Sequence, residues 1–198
     1  MLTKVKLMDK QFEEIRNCTI CAEHLPLGPR PIFRVHPEAK IAIISQAPGR
    51  VVHLSGIAWA DQSGDRLRSW LGVDKSTFYD TPHFAIIPMG FCYPGKGKSG
   101  DLPPRKECAP QWHDTLMNML PNIELKLIIG QYAQKYYLGK SRKKNLTETV
   151  RTFEEYLPEC LPLPHPSPIN IRWRKKNEWF ETDVVPEIRT NVQRIIQI

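Results

Sequence analysis

The chain has 198 residues, of which 41% are hydrophobic and 25% are charged. This length suits one globular domain over residues 1–198 and is too short for two domains of ordinary size. The longest uninterrupted apolar runs span only a few residues, so the sequence contains no membrane-spanning helix. Lys and Arg outnumber Asp and Glu by 28 to 21, and the net charge of +7 favours polyanionic partners such as nucleic acid.

The N-terminal segment has no apolar core and carries acidic residues within its first fifteen positions, which excludes a signal or transit peptide. We therefore expect a cytoplasmic protein. Its five cysteines are then candidates for a metal site or reactive thiols rather than disulfides. The 18 prolines are nearly twice the average share of about 5% and predict many sharply shaped loops.

Short apolar segments that end in turn formers predict strands buried on both faces. They are Lys40–Ser45, Phe84–Pro88, Leu125–Gly130 and Leu161–Leu163. Apolar residues at helical spacing lie between and around them and predict helices. These helices cover roughly Asp9 to Arg16, Gln62 to a cap at Gly72, a segment starting near Pro104, Gln131–Leu138 before Gly139, and the last twenty residues.

Strands that alternate with helices predict an α/β fold with a parallel sheet and helices on both faces. Ligands of such sheets bind beyond the carboxyl ends of the strands. The loop after the first strand begins with the turn Pro48-Gly49 and carries Gln46, the flat ring of Trp59, and three possible bases, which are His53, Asp61 and Asp65. The alternative is an ordinary connecting loop with a core tryptophan.

The loop after the last strand holds four prolines at alternate positions and presents His165 on a rigid backbone. Such an imidazole suits an electrophile or proton donor, and the alternative is a connector whose histidine caps a carbonyl. The segment Arg172–Lys176 follows, with basic residues around Trp173. That pattern fits phosphate contact with base stacking, and it equally fits the start of a solvated helix.

The cysteines form two pairs and a remainder. Cys18 and Cys21 have the C-x2-C spacing, and fifteen residues separate Cys92 from Cys108. If the fold unites the pairs, four thiolates could hold a tetrahedral zinc ion or an iron-sulfur cluster. Cys160 is left over and is expected to act as a small buried hydrophobe.

With these residues located, the chain resembles the uracil-DNA glycosylase superfamily, and in particular its branch with a four-cysteine [4Fe-4S] cluster. The segment Ser45–Gly49 matches the last three residues of that branch's Gly-Glu-Ala-Pro-Gly motif, and His165-Pro166-Ser167-Pro168 is similar to the superfamily's second motif. Further along the same loop, that branch has a glycine, a ring-bearing residue, a small residue, a second glycine and a leucine. The same spacing occurs here in Gly56, Trp59, Ser63, Gly64 and Leu67.

The resemblance implies a three-layer α/β/α sandwich around a four-stranded parallel sheet, and a monomer that acts on single- or double-stranded DNA. It also implies that Trp59 stacks on an extruded base, that His165 stabilises the departing base, and that iron-sulfur ranks ahead of zinc at the cysteines. The residues Ile169–Lys176 would form a loop against the DNA. The resulting DNA-binding residues are Arg50, Arg172, Arg174, Lys175 and Lys176.

Three positions depart from the superfamily pattern. Pro88 stands where the uracil-reading asparagine would be, Gln46 replaces the acidic residue of the first motif, and Ala47 occupies the position of the catalytic aspartate in the best-known branch. The base is therefore not assigned. The expected substrate-binding residues are Ala47, Pro48, Gly49, Trp59, Pro88 and Ser167, and the expected catalytic residues are His165, Gln46, Asp61, Asp65 and His53.

The leading hypothesis is a DNA glycosylase that hydrolyses the N-glycosidic bond of a deaminated or damaged base. Two alternatives stay open, a non-catalytic nucleic-acid-binding member of the same fold and an enzyme that acts on a small nucleoside or nucleotide. The leading hypothesis expects Trp59 and His165 to face each other across one crevice sized for a single base.

Overall fold

A four-stranded parallel sheet forms the centre of the protein. The structure, a computed structural model, describes residues 2–80 and 82–197. Its strands are, in chain order, β1 Ile41–Ile44, β2 Phe84–Ile86, β3 Lys96–Gly97, β4 Gly100–Asp101, β5 Leu125–Ile129 and β6 Cys160–Leu163. The sheet has the order β2-β1-β5-β6, and β3 and β4 form a separate antiparallel hairpin. The predicted strands are confirmed to within two residues at each end, and the hairpin was not predicted.

Helices cover both faces of this sheet. They are α1 Leu2–Arg16, α2 Arg50–Ser55, α3 Gln62–Leu71, α4 Lys75–Tyr79, α5 Cys108–Asn118, α6 Gly130–Leu138, α7 Leu146–Arg151, α8 Ile171–Lys176 and α9 Val185–Ile196. The prediction that Gly72 caps α3 is confirmed, because its φ of 68° is the left-handed conformation that glycine adopts readily. The helix expected from Pro104 begins four residues later, since Pro104 packs beside Gly90 in an extended segment.

The strands divide their side chains between two cores, as the period of two in a strand requires. Ile41 and Ile43 of β1 face a core that includes Leu67 of α3 and Ile188 of α9. Ala42 and Ile44 point to the opposite face, where a second core includes Ala109 of α5 and Ala133 of α6. The expected α/β class and its helix, sheet and helix layers are confirmed.

The segment that follows α1 lies along the free edge of β2. Arg34 pairs antiparallel with Ile86, and the Ile32 amide donates to the Phe91 carbonyl oxygen at 2.7 Å. This pairing places the segment after α1 beside the loop that follows β2. None of the helices within residues 2–80 and 82–197 has the length and apolarity needed to cross a bilayer.

Candidate functional site

A cavity of about 350 Å³ opens at the carboxyl ends of the strands, where the fold class predicts a ligand site. This cavity, hereafter the pocket, is lined by the loops after β1, β2 and β6 and by the β3–β4 hairpin. Its volume lies in the range of small-molecule sites. The sequence-predicted residues in its lining are Gln46, Ala47, Pro48, Gly49, Trp59, Asp61, Pro88, His165 and Ser167.

Trp59 and His165 form one wall of the pocket. Their ring centroids are 5.7 Å apart and their planes differ by 29°, so the two rings stack on each other. The expectation that both residues reach one pocket is met. The expectation of a gap between them was wrong, because rings in mutual contact leave no space for a base between them. A bound base must pack against the pair instead.

His165 is held as a neutral hydrogen-bond donor. Its Nδ1 accepts a hydrogen bond from the Ser167 amide at 3.2 Å, which leaves the ring proton on Nε2. Burial lowers the pKa of His165 to about 4, because a charged imidazolium would lose its hydration. The Asn170 side chain donates to the His165 carbonyl oxygen at 2.9 Å and fixes the backbone. The ring therefore offers an N–H and no positive charge at neutral pH.

The backbone of Trp59 is held in a strained conformation. Its φ of 59° is left-handed and uncommon for a bulky residue. The Arg68 guanidinium donates to the Trp59 carbonyl oxygen at 3.3 Å, and the Tyr79 hydroxyl donates to the preceding carbonyl, that of Ala58, at 2.9 Å. The Asp65 carboxylate lies 2.6 Å from Arg68 and does not line the pocket. Asp65 thus steadies the support of Trp59 and does not face a substrate.

The other two predicted bases are also engaged in the fold. Asp61 lines the pocket, but its Oδ1 accepts the Gly64 amide at 2.9 Å as the N-cap of α3. His53 is buried and does not line the pocket. Burial and the nearby charge of Arg30 lower the pKa of His53, and Arg30 donates to the His53 carbonyl oxygen at 2.6 Å. His53 joins α2 to the preceding segment.

Pro88 presents an apolar ring and no hydrogen-bonding side chain to the pocket. Its carbonyl oxygen is 3.0 Å from Nε2 of His113, a residue that sequence reasoning did not single out. The other ring nitrogen of His113 is 2.8 Å from the Tyr137 hydroxyl, and burial lowers the pKa of His113 to about 4. A neutral His113 therefore donates to Pro88 and accepts from Tyr137. This buried pair of bonds fixes the pocket wall from behind.

Gln46 and His165 line the pocket and both approach Gly130. A Cβ built on Gly130 would lie 3.6 Å from Cγ of Gln46 and 3.8 Å from Cβ of His165, so both side chains pass over this glycine. The Gln46 carbonyl oxygen accepts the Gly90 amide at 2.9 Å, which extends the β1–β2 pairing into the loop. The carboxamide of Gln46 thus lies near the one imidazole that lines the pocket in the described residues.

The basic segment after His165 divides into two kinds of residue. Residues 171–176 form α8, so the expected extended loop is limited to a turn at Pro168–Asn170. Arg172, Lys175 and Lys176 are exposed on α8, as is Arg50 on α2. Arg174 is 8% exposed, and it donates to the Ser167 carbonyl oxygen at 3.2 Å. Its assignment as a phosphate contact stays a prediction that this burial does not favour, because its guanidinium already binds the loop that carries His165.

The four paired cysteines line one small cavity beside the pocket-forming loops. This second cavity, hereafter the cysteine cavity, is bordered by Cys18, Cys21, Cys92 and Cys108, and no disulfide joins them. The Phe91 amide donates to Cys108 Sγ at 3.4 Å. Burial raises the pKa of Cys92 to about 11 and that of Cys108 to about 12. The expectation that the fold unites the two pairs is therefore met.

The side chains around the cysteine cavity do not by themselves form a metal site. Within the described chain, no three His, Cys, Asp or Glu side chains are arranged to hold a single metal ion. A zinc ion draws its sulfur ligands to about 2.3 Å, whereas an iron-sulfur cluster carries each thiolate on a separate iron. Four thiols that border one cavity are a donor set that either group could use, so the choice between them stays a prediction. The fifth cysteine, Cys160, is half-buried at the start of β6.

The fold and site define a class of α/β protein that has a pocket with an aromatic wall at the carboxyl edge of a parallel sheet. The family model described as Uracil DNA glycosylase superfamily matches residues 33–189, most of the chain. The chain belongs to that superfamily, and a DNA glycosylase-like function follows at this general level. The match begins after Cys18 and Cys21, so the four-cysteine branch stays a prediction.

Proposed function

We propose that this protein is a DNA glycosylase that extrudes a deaminated or damaged base and hydrolyses its N-glycosidic bond. The observation that supports it most is the stacked pair of Trp59 and neutral His165 inside the pocket. An extruded base gains an aromatic wall in exchange for the stacking it loses in the duplex. The same wall carries a hydrogen-bond donor for the leaving group.

The chemistry follows from the charge that develops as the bond breaks. The electron pair of the C1′–N bond leaves with the base, and the sugar becomes an oxocarbenium-like cation. The Nε2–H of His165 donates to the anionic base, and a neutral donor at this place avoids the cost of a buried charge in the resting protein. The carboxamide of Gln46, next to His165, is suited to orient the attacking water.

DNA is the proposed partner because exposed cations flank the pocket. Arg172, Lys175 and Lys176 lie on α8, directly after the turn that holds Ile169, whose side chain is 72% exposed at the pocket. Such an apolar side chain beside basic residues suits entry into the space that an extruded nucleotide leaves. Charge reversal of Lys175 and Lys176 should abolish activity on DNA and spare activity on a free nucleoside, which separates the two substrate classes.

An experiment must identify which base the protein releases, because Pro88 supplies no side-chain hydrogen bond that could recognise uracil. Oligonucleotides that carry uracil, hypoxanthine, xanthine or 5-hydroxymethyluracil, single-stranded and in duplex, are incubated with the protein and cleaved by alkali at abasic sites. We expect release of at least one of these bases. Tight DNA binding without any release would instead support the non-catalytic alternative.

The variant His165→Ala tests the proposed role of the imidazole. Loss of one preorganised donor lowers turnover by about a hundredfold in comparable sites, and DNA affinity should persist because His165 makes no backbone contact with the duplex in this proposal. His36→Ala removes an imidazole that does not line the pocket and is the matched control. Unchanged base release by His165→Ala would remove His165 from the mechanism.

The proposed resident group of the cysteine cavity is a [4Fe-4S] cluster, with zinc as the alternative. Cys18, Cys21, Cys92 and Cys108 would be its ligands, and the Phe91 amide would donate to the Cys108 sulfur. The contribution of such a cluster would be structural. It would tie the segment after α1 to the loop after β2 and to the first turn of α5.

A further inference from the structure

The pocket contains a carboxylate that sequence reasoning passed over. Asp101 ends the β3–β4 hairpin and lines the pocket. Its Oδ2 lies only 3.3 Å from the position that a Cβ on Gly49 would take, so the carboxylate is turned onto the loop after β1. The absence of a side chain at Gly49 leaves the space that this carboxylate uses.

The hairpin places Asp101 at the rim of the pocket and not at its floor. The residue is exposed, and a Cβ built on the neighbouring Gly100 would lie 3.9 Å from Cδ1 of Ile169. The hairpin and the turn after β6 therefore approach each other beside the pocket opening. A nucleotide whose base packs on Trp59 and His165 would hold its sugar near this rim, because the sugar stays attached to the DNA backbone outside.

Among the described residues, the pocket is lined by two carboxylates, those of Asp61 and Asp101. One oxygen of Asp61 is already bound by the Gly64 amide as a helix cap. The sequence-predicted Asp65 lies outside the pocket and pairs with Arg68. Unlike Asp61, Asp101 does not cap a helix, and it faces the loop that carries Gln46.

We infer that Asp101 is a catalytic carboxylate of the glycosidic cleavage, an inference that rests on the proposed function. Its negative charge stabilises the cationic sugar as the C1′–N bond breaks and the electron pair leaves on the base. The oxygen of a water molecule then bonds to C1′, and the carboxylate accepts one proton from that water. The base anion takes up a proton from solvent and the carboxyl group of Asp101 releases its proton to solvent, so the products are the free base and an abasic deoxyribose, and no oxidant or reductant is required.

The surroundings of Asp101 suit a group that gains a proton. Partial burial raises the pKa of Asp101, while a hydrogen bond from the Tyr93 hydroxyl and the charge of Lys96 act in the opposite direction. Tyr93 is itself buried, so its ring is held in place near the hairpin. A general base is most effective when its pKa approaches the working pH, and removal of such a group costs about 10²-fold to 10⁴-fold in rate.

The first experiment measures the proposed charge interaction without turnover. Wild type and Asp101→Asn are titrated with two DNA duplexes, one with a neutral tetrahydrofuran abasic analogue and one with a cationic pyrrolidine analogue that mimics the charged sugar. We expect the wild type to prefer the cationic analogue at least tenfold and Asp101→Asn to lose that preference while still binding the neutral one. An equal preference in both proteins, or none in the wild type, would overturn the inference.

The second experiment measures single-turnover base release with the substrate found in the base panel. Asp101→Asn should slow release by about a hundredfold, in line with the loss of a general base. Asp114→Asn removes an exposed carboxylate of α5 that does not line the pocket, and it should release base at the wild-type rate. Thermal unfolding of each variant reports on folding.

The two experiments separate the inference from the proposed function. If wild type releases no base but prefers the cationic analogue through Asp101, the glycosylase proposal fails for the bases tested, while the interaction of Asp101 with a cationic sugar stands. If wild type releases a base and Asp101→Asn does so equally fast, the glycosylase proposal stands and the assignment of Asp101 fails.

Discussion

The carbonyl oxygen of Trp59 occupies the space that any side chain on Gly64 would need. A Cβ built on Gly64 would lie 1.7 Å from this oxygen, far inside van der Waals contact. The same oxygen accepts a hydrogen bond from Arg68, so it cannot move away freely. The glycine in the first turn of α3 thus permits the left-handed backbone of Trp59 and, through it, the aromatic wall of the pocket.

Gly64→Ala is therefore predicted to damage both stability and the pocket. The contact is with backbone, and overpacking of this kind typically costs about 1–3 kcal/mol. We expect a lower melting temperature and altered tryptophan fluorescence, together with slower base release. Ser69→Ala changes an exposed position of the same helix and is the control. A Gly64→Ala protein with wild-type melting temperature and fluorescence would contradict the role assigned to this contact.

Arg174 and Lys175 are predicted to behave differently although they are neighbours. Lys175 is exposed, so Lys175→Gln should weaken DNA binding and lower the slope of log affinity against log salt by about one. Arg174 is buried against the Ser167 carbonyl oxygen, so Arg174→Gln should slow base release and leave the salt slope unchanged. Fluorescence anisotropy at several salt concentrations gives the slopes. If both variants changed the slope equally, Arg174 would be a DNA phosphate contact after all.

Much of the fold could be predicted because its signals are local. The segments of β1 and β5 are almost entirely buried, and strands buried on both faces are recognised by sequences that are apolar at nearly every position. The ends of α3 at Gly72 and of α6 at Gly139 were predictable for the same reason, since glycine follows the last helical residue in both cases. The position of the pocket then followed from the parallel order of the strands.

The candidate site could be predicted only in part, because side-chain partners come from distant segments. Nothing in the spacing around Arg174 shows that the Ser167 carbonyl takes up its guanidinium. The approach of the Asp101 carboxylate to Gly49 depends on how the β3–β4 hairpin packs, which no local pattern shows. His113 is separated by 25 residues from Pro88, and only the packed core brings them together.

If the cysteine cavity holds a [4Fe-4S] cluster, the protein should be brown when it is purified without oxygen. A [4Fe-4S] cluster would give broad visible absorption and about four iron atoms per chain. Cys92→Ser should lose the colour and the iron, whereas Cys160→Ser should keep both because Cys160 does not line the cavity. Stoichiometric zinc in a colourless protein would support the zinc alternative, and a protein with neither would contradict both forms of the site.

Because the imidazole of His113 is buried, we predict that acidification destabilises the fold at pH values above those at which carboxylates titrate. The pKa of His113 is about 4 in the folded protein, well below the ordinary value of 6.5, so the unfolded chain binds a proton first as the pH falls. The contribution of neutral His113 to the free energy of unfolding is therefore fully present above about pH 6.5 and is lost progressively towards pH 4. Between pH 7 and pH 5 this loss amounts to about 2 kcal/mol, and His165 adds a loss in the same direction.

Urea unfolding at a series of pH values measures this dependence. His113→Gln cannot titrate at this position, so it should be less stable than the wild type at pH 7 but lose less stability on acidification, with His165 and His53 responsible for the rest. His36→Ala leaves both buried rings in place and should keep the wild-type slope. If the stability of His113→Gln depended on pH as steeply as that of the wild type, other groups would take up the proton on unfolding. The assignment of His113 as a neutral donor to the Pro88 carbonyl would then be wrong.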